Sequence, residues 1–136
     1  MENIPRDSWN IIQQVIRRYW DNKEAYKNRR EELLNSTPVQ DGQPHGNVPV
    51  NKLENTVIDL NSPYMERMKR EIEAVDKAYN ALKEEHKKII RIRFWSDRYR
   101  NTPYTRMERS VSYSEMQMRR VCKEFIKNVG KNLGEL

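Results

Sequence analysis

Between Tyr104 and Val129 the apolar residues keep a helical spacing twice, with a break of about three residues between the two runs. That interruption constrains the fold more than any other feature. Tyr104, Met107 and Val111 are three and four apart and share one face of a short helix. Thr102 is the expected N-cap of that helix, and Pro103 suits its first position, where a missing backbone N–H costs nothing. After Val111 the period lapses until Ser114, whose side-chain oxygen can cap a second helix with Glu115 in its first turn, at the positive end of the helix dipole. The second helix is expected to bury Met118, Val121, Phe125 and Val129, with Gly130 as its stop.

Two helices joined by a turn of three or four residues, the second one capped and basic, make a helix-turn-helix over about 103–129. In that motif the first turns of the second helix enter the major groove of double-stranded DNA. Ser114 would cap it, and the outward residues would be Glu115, Met116, Gln117, Arg119, Arg120 and Lys123. Gln pairs with adenine and Arg with guanine through two hydrogen bonds, so Gln117 and Arg119 are the expected base readers. Arg120 and Lys123 suit either base or phosphate contact. The competing reading is an ordinary amphipathic helix with a solvated basic face.

Charge is concentrated in the same region. From Lys87 to Lys131 there are thirteen Lys and Arg against four Asp and Glu, an excess of +9 in a chain of net charge +6. The rest of the chain is therefore acidic, and the localised basic surface points to a polyanion partner. Arg98 and Arg100, in the loop expected over 96–101, are candidates for contacts to the DNA backbone.

At 136 residues, a third of them charged, the chain allows one modest domain with a thin core, or a small domain with a helical extension. It contains no apolar run of membrane-crossing length and no signal-peptide core, so a cytoplasmic protein with no membrane partner is expected. Cys122, the single cysteine, precludes an internal disulfide and is expected to pack as a small apolar group.

Upstream, Trp9, Ile12, Ile16, Tyr19, Tyr26 and Leu33 form a heptad-like stripe over an N-terminal amphipathic helix, residues 1–35, that wants a partner helix. Residues 36–50 hold three prolines and two glycines, including Asp41-Gly42-Gln43-Pro44-His45-Gly46, and read as a linker. Asn51 and Glu54 resemble a capping box for a short helix through Leu60. Ser62 and Pro63 then start a longer helix bearing Met65, Met68, Ile72, Val75, Tyr79 and Leu82. Ile89, Ile90, Ile92, Phe94 and Trp95 are expected on a helix supporting the helix-turn-helix, with the two aromatic rings buried, although stacking on bases is an alternative. The resulting fold class is all-α: a helical N-terminal extension, then a helical domain over 51–136.

The order Ile89-Ile90, Ile92-Arg93-Phe94-Trp95, Tyr104, Met107, Val111, Tyr113-Ser114-Glu115, Arg119-Arg120 and Phe125 resembles the last DNA-binding region of bacterial sigma factors and their phage relatives. Within that group the chain is similar to the RinA and ArpU families of phage transcriptional regulators, which also carry an N-terminal helix, a segment like Asp41 to Gly46, and a long helix before the reader. The resemblance implies an activator of late phage or prophage genes, acting at the nucleoid of a bacterial host, with host RNA polymerase as a protein partner. The heptad stripes admit a homodimer. Such readers place a small residue where this chain has Glu108, so that carboxylate is expected to turn outward or meet a base. The alternatives are a small terminase subunit that recognises phage DNA for packaging, and a helical adaptor that binds RNA polymerase alone.

No enzyme constellation is present. His45 and His86 lack ligand spacing, the glycines form no nucleotide fingerprint, and the carboxylates alternate with Lys and Arg as on solvated helices. Neither a metal nor another cofactor is expected.

Overall fold

A computed structural model describes residues 4–35 and 61–136. Within them the protein is all-helical: α1 (Arg6–Arg17), α2 (Tyr19–Asn35), α3 (Pro63–Asn80), α4 (Glu84–Ile90) with a π-helical turn (Arg91–Trp95), α5 (Tyr104–Met107) and α6 (Glu115–Leu133). The 36–50 linker, with its Asp41 to Gly46 segment and His45, and the short helix expected from Asn51 lie outside the described residues. Among those described, no helix is long and apolar enough to cross a membrane.

The chain divides into two units, Met1–Tyr19 with Glu71–Leu136 and Trp20–Arg70. In the second, Leu33, Met65 and Met68 are buried. Ser62 starts α3 by accepting a hydrogen bond from the Met65 amide at 3.3 Å, and Pro63 occupies the first helical position, where its missing N–H costs nothing.

In the first unit, Ile12, Val15 and Ile16 of α1 join Val75 of α3, Ile89 and Ile90 of α4, Phe94, Met107 of α5, and Met118, Phe125 and Val129 of α6 in one core. The stripe expected as a single N-terminal helix is interrupted at Arg18. The reason is non-local: Arg18 makes a forked ion pair with buried Glu71, at 2.8 and 3.2 Å, and Tyr19 donates its hydroxyl to Asp76. Residues 1–35 therefore do not act as one extension, because α1 is a core element of the C-terminal domain.

The supporting segment widens into a π turn at Arg91–Trp95. Its free carbonyls find partners, Arg93 O accepting from the Thr102 amide at 2.9 Å and Ile92 O from the Ser96 hydroxyl. Phe94 is buried 6.3 Å from Phe125. Trp95 stands against Tyr19 and Tyr79, with centroids 5.3 Å away in each case, and donates its indole N–H to Ile16 O at 2.8 Å. Both rings are thus committed to packing and unavailable for stacking on bases.

Two end assignments differ from expectation. Thr102 does not cap α5, because its hydroxyl is shared with Ser96 at 2.6 Å, and Pro103 takes the cap position without a side-chain bond. Gly130 does not end α6. The helix runs on to Leu133, and Gly134, at φ 81°, makes the left-handed turn. Gly130 instead lets α6 approach α1, since a Cβ there would lie 2.6 Å from Ile12 Cδ1.

Candidate nucleic-acid interface

The α5 helix is only four residues long, and turns bonded at Ser110 N to Met107 O (2.9 Å) and Val111 N to Met107 O (3.2 Å) lead toward α6. Buried Met107 fastens this segment to the core, while Glu108 is exposed, so its carboxylate carries no burial penalty. Ser114 caps α6 with a full capping box. Its hydroxyl accepts from the Gln117 amide at 3.2 Å, and its own amide donates to Gln117 Oε1 at 2.9 Å.

The buried side of α6 carries Met118, Cys122, Phe125, Ile126 and Val129, one position apart from expectation in that Cys122 goes inside while Val121 is only half-buried. Its other side presents the candidate contact residues. Met116 is 67 % exposed, and Arg119, Arg120 and Lys123 are exposed. Glu115 is half-buried and holds Arg119 Nε at 3.0 Å, one helical turn away. Arg120 Nη2 lies 4.0 Å from Met116 Sδ in the parallel row.

Gln117 differs from the reader expected of it. Its side-chain carbonyl oxygen, one of the two groups that would pair with adenine, is occupied by the Ser114 amide. Arg119 retains the geometry of a reader. Its guanidinium lies 4.7 Å from the centre of the Tyr104 ring, over which Arg93 also stands at 4.0 Å. Periodicity marks Tyr104 only as an apolar residue, and nothing local in sequence links it to Arg93 and Arg119. Burial pushes the Tyr104 phenol well above its usual range, with the neighbouring Cys122 adding to the effect and the two guanidinium charges opposing it.

Arg98 and Arg100 lie exposed in the loop before α5. Arg17 pins that loop to α1 by donating to Asn101 Oδ1 at 2.6 Å and to the backbone carbonyl of Arg98 at 3.2 Å. Asp97 accepts from the Tyr99 amide at 2.8 Å and pairs with Arg100 at 3.5 Å, and the Tyr99 amide is the main reason its carboxyl is held below the usual range. His86 rests edge-on to Tyr113 at 5.6 Å, its pKa lowered by burial and then by Lys83. Among the described residues no three His, Cys, Asp or Glu side chains gather as a metal site.

Residues 10–131, most of the chain, match the family described as "Protein of unknown function (DUF722)". The chain belongs to the DUF722 family. No curated protein and no solved structure matches it. For this DUF722 member the polar side of α6 and the loop carrying Arg98 and Arg100 form the candidate interface.

Proposed function

We propose that the protein is a sequence-specific regulator of transcription that reads double-stranded DNA with the first half of α6. The observation that carries this reading is the division of α6 into two sides. One is fixed in the core through Met118, Cys122 and Phe125, and the other offers Met116, Arg119, Arg120 and Lys123 to solvent behind a fully capped N-terminus. A helix so held can enter the roughly 12 Å wide major groove as a rigid element, with the positive end of its dipole toward the phosphates.

Arg119 reads guanine, pre-oriented by Glu115 and Tyr104. Arg120 and Met116 meet neighbouring base edges, the thioether against an apolar surface such as a thymine methyl. Lys123, Arg98 and Arg100 neutralise phosphates and set the register of the protein on the duplex. In keeping with the resemblance to the RinA and ArpU regulators, the bound protein activates late phage or prophage genes by engaging host RNA polymerase.

Selection from random duplexes at near-physiological salt tests the reading, with Arg119→Ala as the control. Enrichment of one motif by the native chain, lost in the variant, is expected. No enrichment by the native chain would overturn sequence-specific reading and favour an adaptor that binds protein alone.

A further inference from the structure

Beside α6, an open cleft of about 540 Å³ runs between α1, the π turn and α6. Its sides are layered by chemistry. The deepest residues are buried and apolar, namely Phe94, Cys122 and Ile126. Half-buried Trp9 and Tyr104 stand above them, with the amides of Gln13 and Asn101, which are joined at 3.3 Å. Three cations, Arg93, Arg119 and Lys123, also line the cleft, and no carboxylate does. The volume lies in the range of small-molecule sites, roughly 300–1,000 Å³, and a few polar groups over an apolar floor is the usual composition of such sites.

We propose that this cleft binds a small organic anion with a flat apolar ring system, the rings resting on Phe94, Cys122 and Ile126 between Trp9 and Tyr104, and the carboxylate or phosphate held by Arg119 and Lys123. A bare inorganic anion fits less well. It would meet the cations but leave the apolar floor open to water. A neutral ring would fill the floor but gain nothing from three unopposed charges. The cations are also well suited to an anion chemically, since Arg93 and Arg119 are both held over Tyr104 and lose little freedom when a ligand arrives. Cys122 contributes shape rather than charge: its thiol is pushed up to about 11, chiefly by burial, and stays neutral at physiological pH.

The test uses the full isotope-labelled chain without DNA, so its result is separable from that of duplex selection. Indole-3-acetate, indole-3-acetamide and inorganic phosphate are titrated separately to millimolar concentration while backbone amide shifts are followed by NMR. The expected result is saturable shifts at Phe94, Cys122 and Ile126 with the acetate, and weaker binding of the acetamide and of phosphate. Lys123→Gln, at an exposed position that leaves the core intact, should weaken the acetate about twofold to fivefold, the range for a solvent-exposed ion pair, and leave the acetamide unchanged. Equal binding of acetate and acetamide, shifts at the floor with phosphate alone, or no saturable shift with the acetate would each overturn the proposal.

Discussion

Gly130 of α6 and Ile12 of α1 meet so closely that no Cβ fits between them: one built on Gly130 would stand 2.6 Å from Ile12 Cδ1 and 2.9 Å from Leu136 Cδ1. Leu136 is partly exposed and can move aside, whereas Ile12 is fully buried. Gly130→Ala therefore sets a gain in helix propensity of about 1 kcal/mol against an overpacking cost of about 1–3 kcal/mol. A net loss of about 1 kcal/mol in urea unfolding is expected. Ile12→Val removes the obstructing methyl, so in that background Gly130→Ala should become neutral or stabilising. A cost that is the same in both backgrounds would show that Ile12 is not what Gly130 accommodates.

This contact also shows where reading the sequence stops. Signals confined to one turn of chain were legible, such as Ser114 before α6, Ser62 and Pro63 before α3, and the three-and-four spacing of Met118 and Phe125, because cap and periodicity are local properties. Whatever depends on a distant partner was not. Gly130 looks like a helix stop until Ile12 is opposite it. Arg18 looks like one more helical residue until it is paired with Glu71, and Thr102 looks like a cap until Ser96 takes its hydroxyl. In the candidate interface the exposed residues of α6 could be named in advance. The grouping of Arg93, Tyr104 and Arg119 could not, since the three come from separate elements.

Gln117 should behave as a capping residue rather than a base reader. Ser114→Ala is expected to cost about 1 kcal/mol of stability. Gln117→Glu preserves an acceptor for the Ser114 amide and suits the helix dipole, so its stability should equal or slightly exceed that of the native chain. The added negative charge would weaken binding to every duplex alike. A change in the preferred base at one position in Gln117→Glu would instead make Gln117 a reader.

Alkaline pH should destabilise the fold in part through Cys122. The unfolded thiol has an ordinary pKa of 9.0, whereas the folded one is pushed up to about 11 by burial, against the opposing effects of its bond with Tyr104 and the charge of Arg93. Between these values the unfolded chain holds fewer protons than the folded one, so stability falls as pH rises. Tyr19 and Tyr104, both raised chiefly by burial, act in the same sense at higher pH. Cys122→Ala leaves a small void and should be less stable at pH 8, but its urea midpoint should decline less steeply between pH 9 and 10.5. Parallel declines would mean that the thiol is not buried in solution.

Arg119 and Lys123 are one helical turn apart on α6, yet they should fail differently. Arg119 is held by Glu115 at 3.0 Å and by the Tyr104 ring, which fixes the direction of its planar fork, and a fixed fork can tell guanine from other bases. Arg119→Ala should relax the preference at a single base position, with a loss of about 1–3 kcal/mol on the preferred duplex and far less on others. Exposed Lys123 has no protein partner to direct it, so Lys123→Ala should weaken all duplexes about equally and lower the salt slope by about one. Tyr104→Leu separates pre-orientation from contact. It keeps an apolar side chain at the half-buried site but removes the face on which the guanidinium rests, so selectivity at the Arg119 base should fall while the salt slope stays the same. Competition binding over single-base variants of the selected site, repeated at several salt concentrations, reads all three outcomes. Equal losses on every duplex for Arg119→Ala would place its guanidinium on a phosphate, and the source of specificity would then have to be Arg120 or Met116.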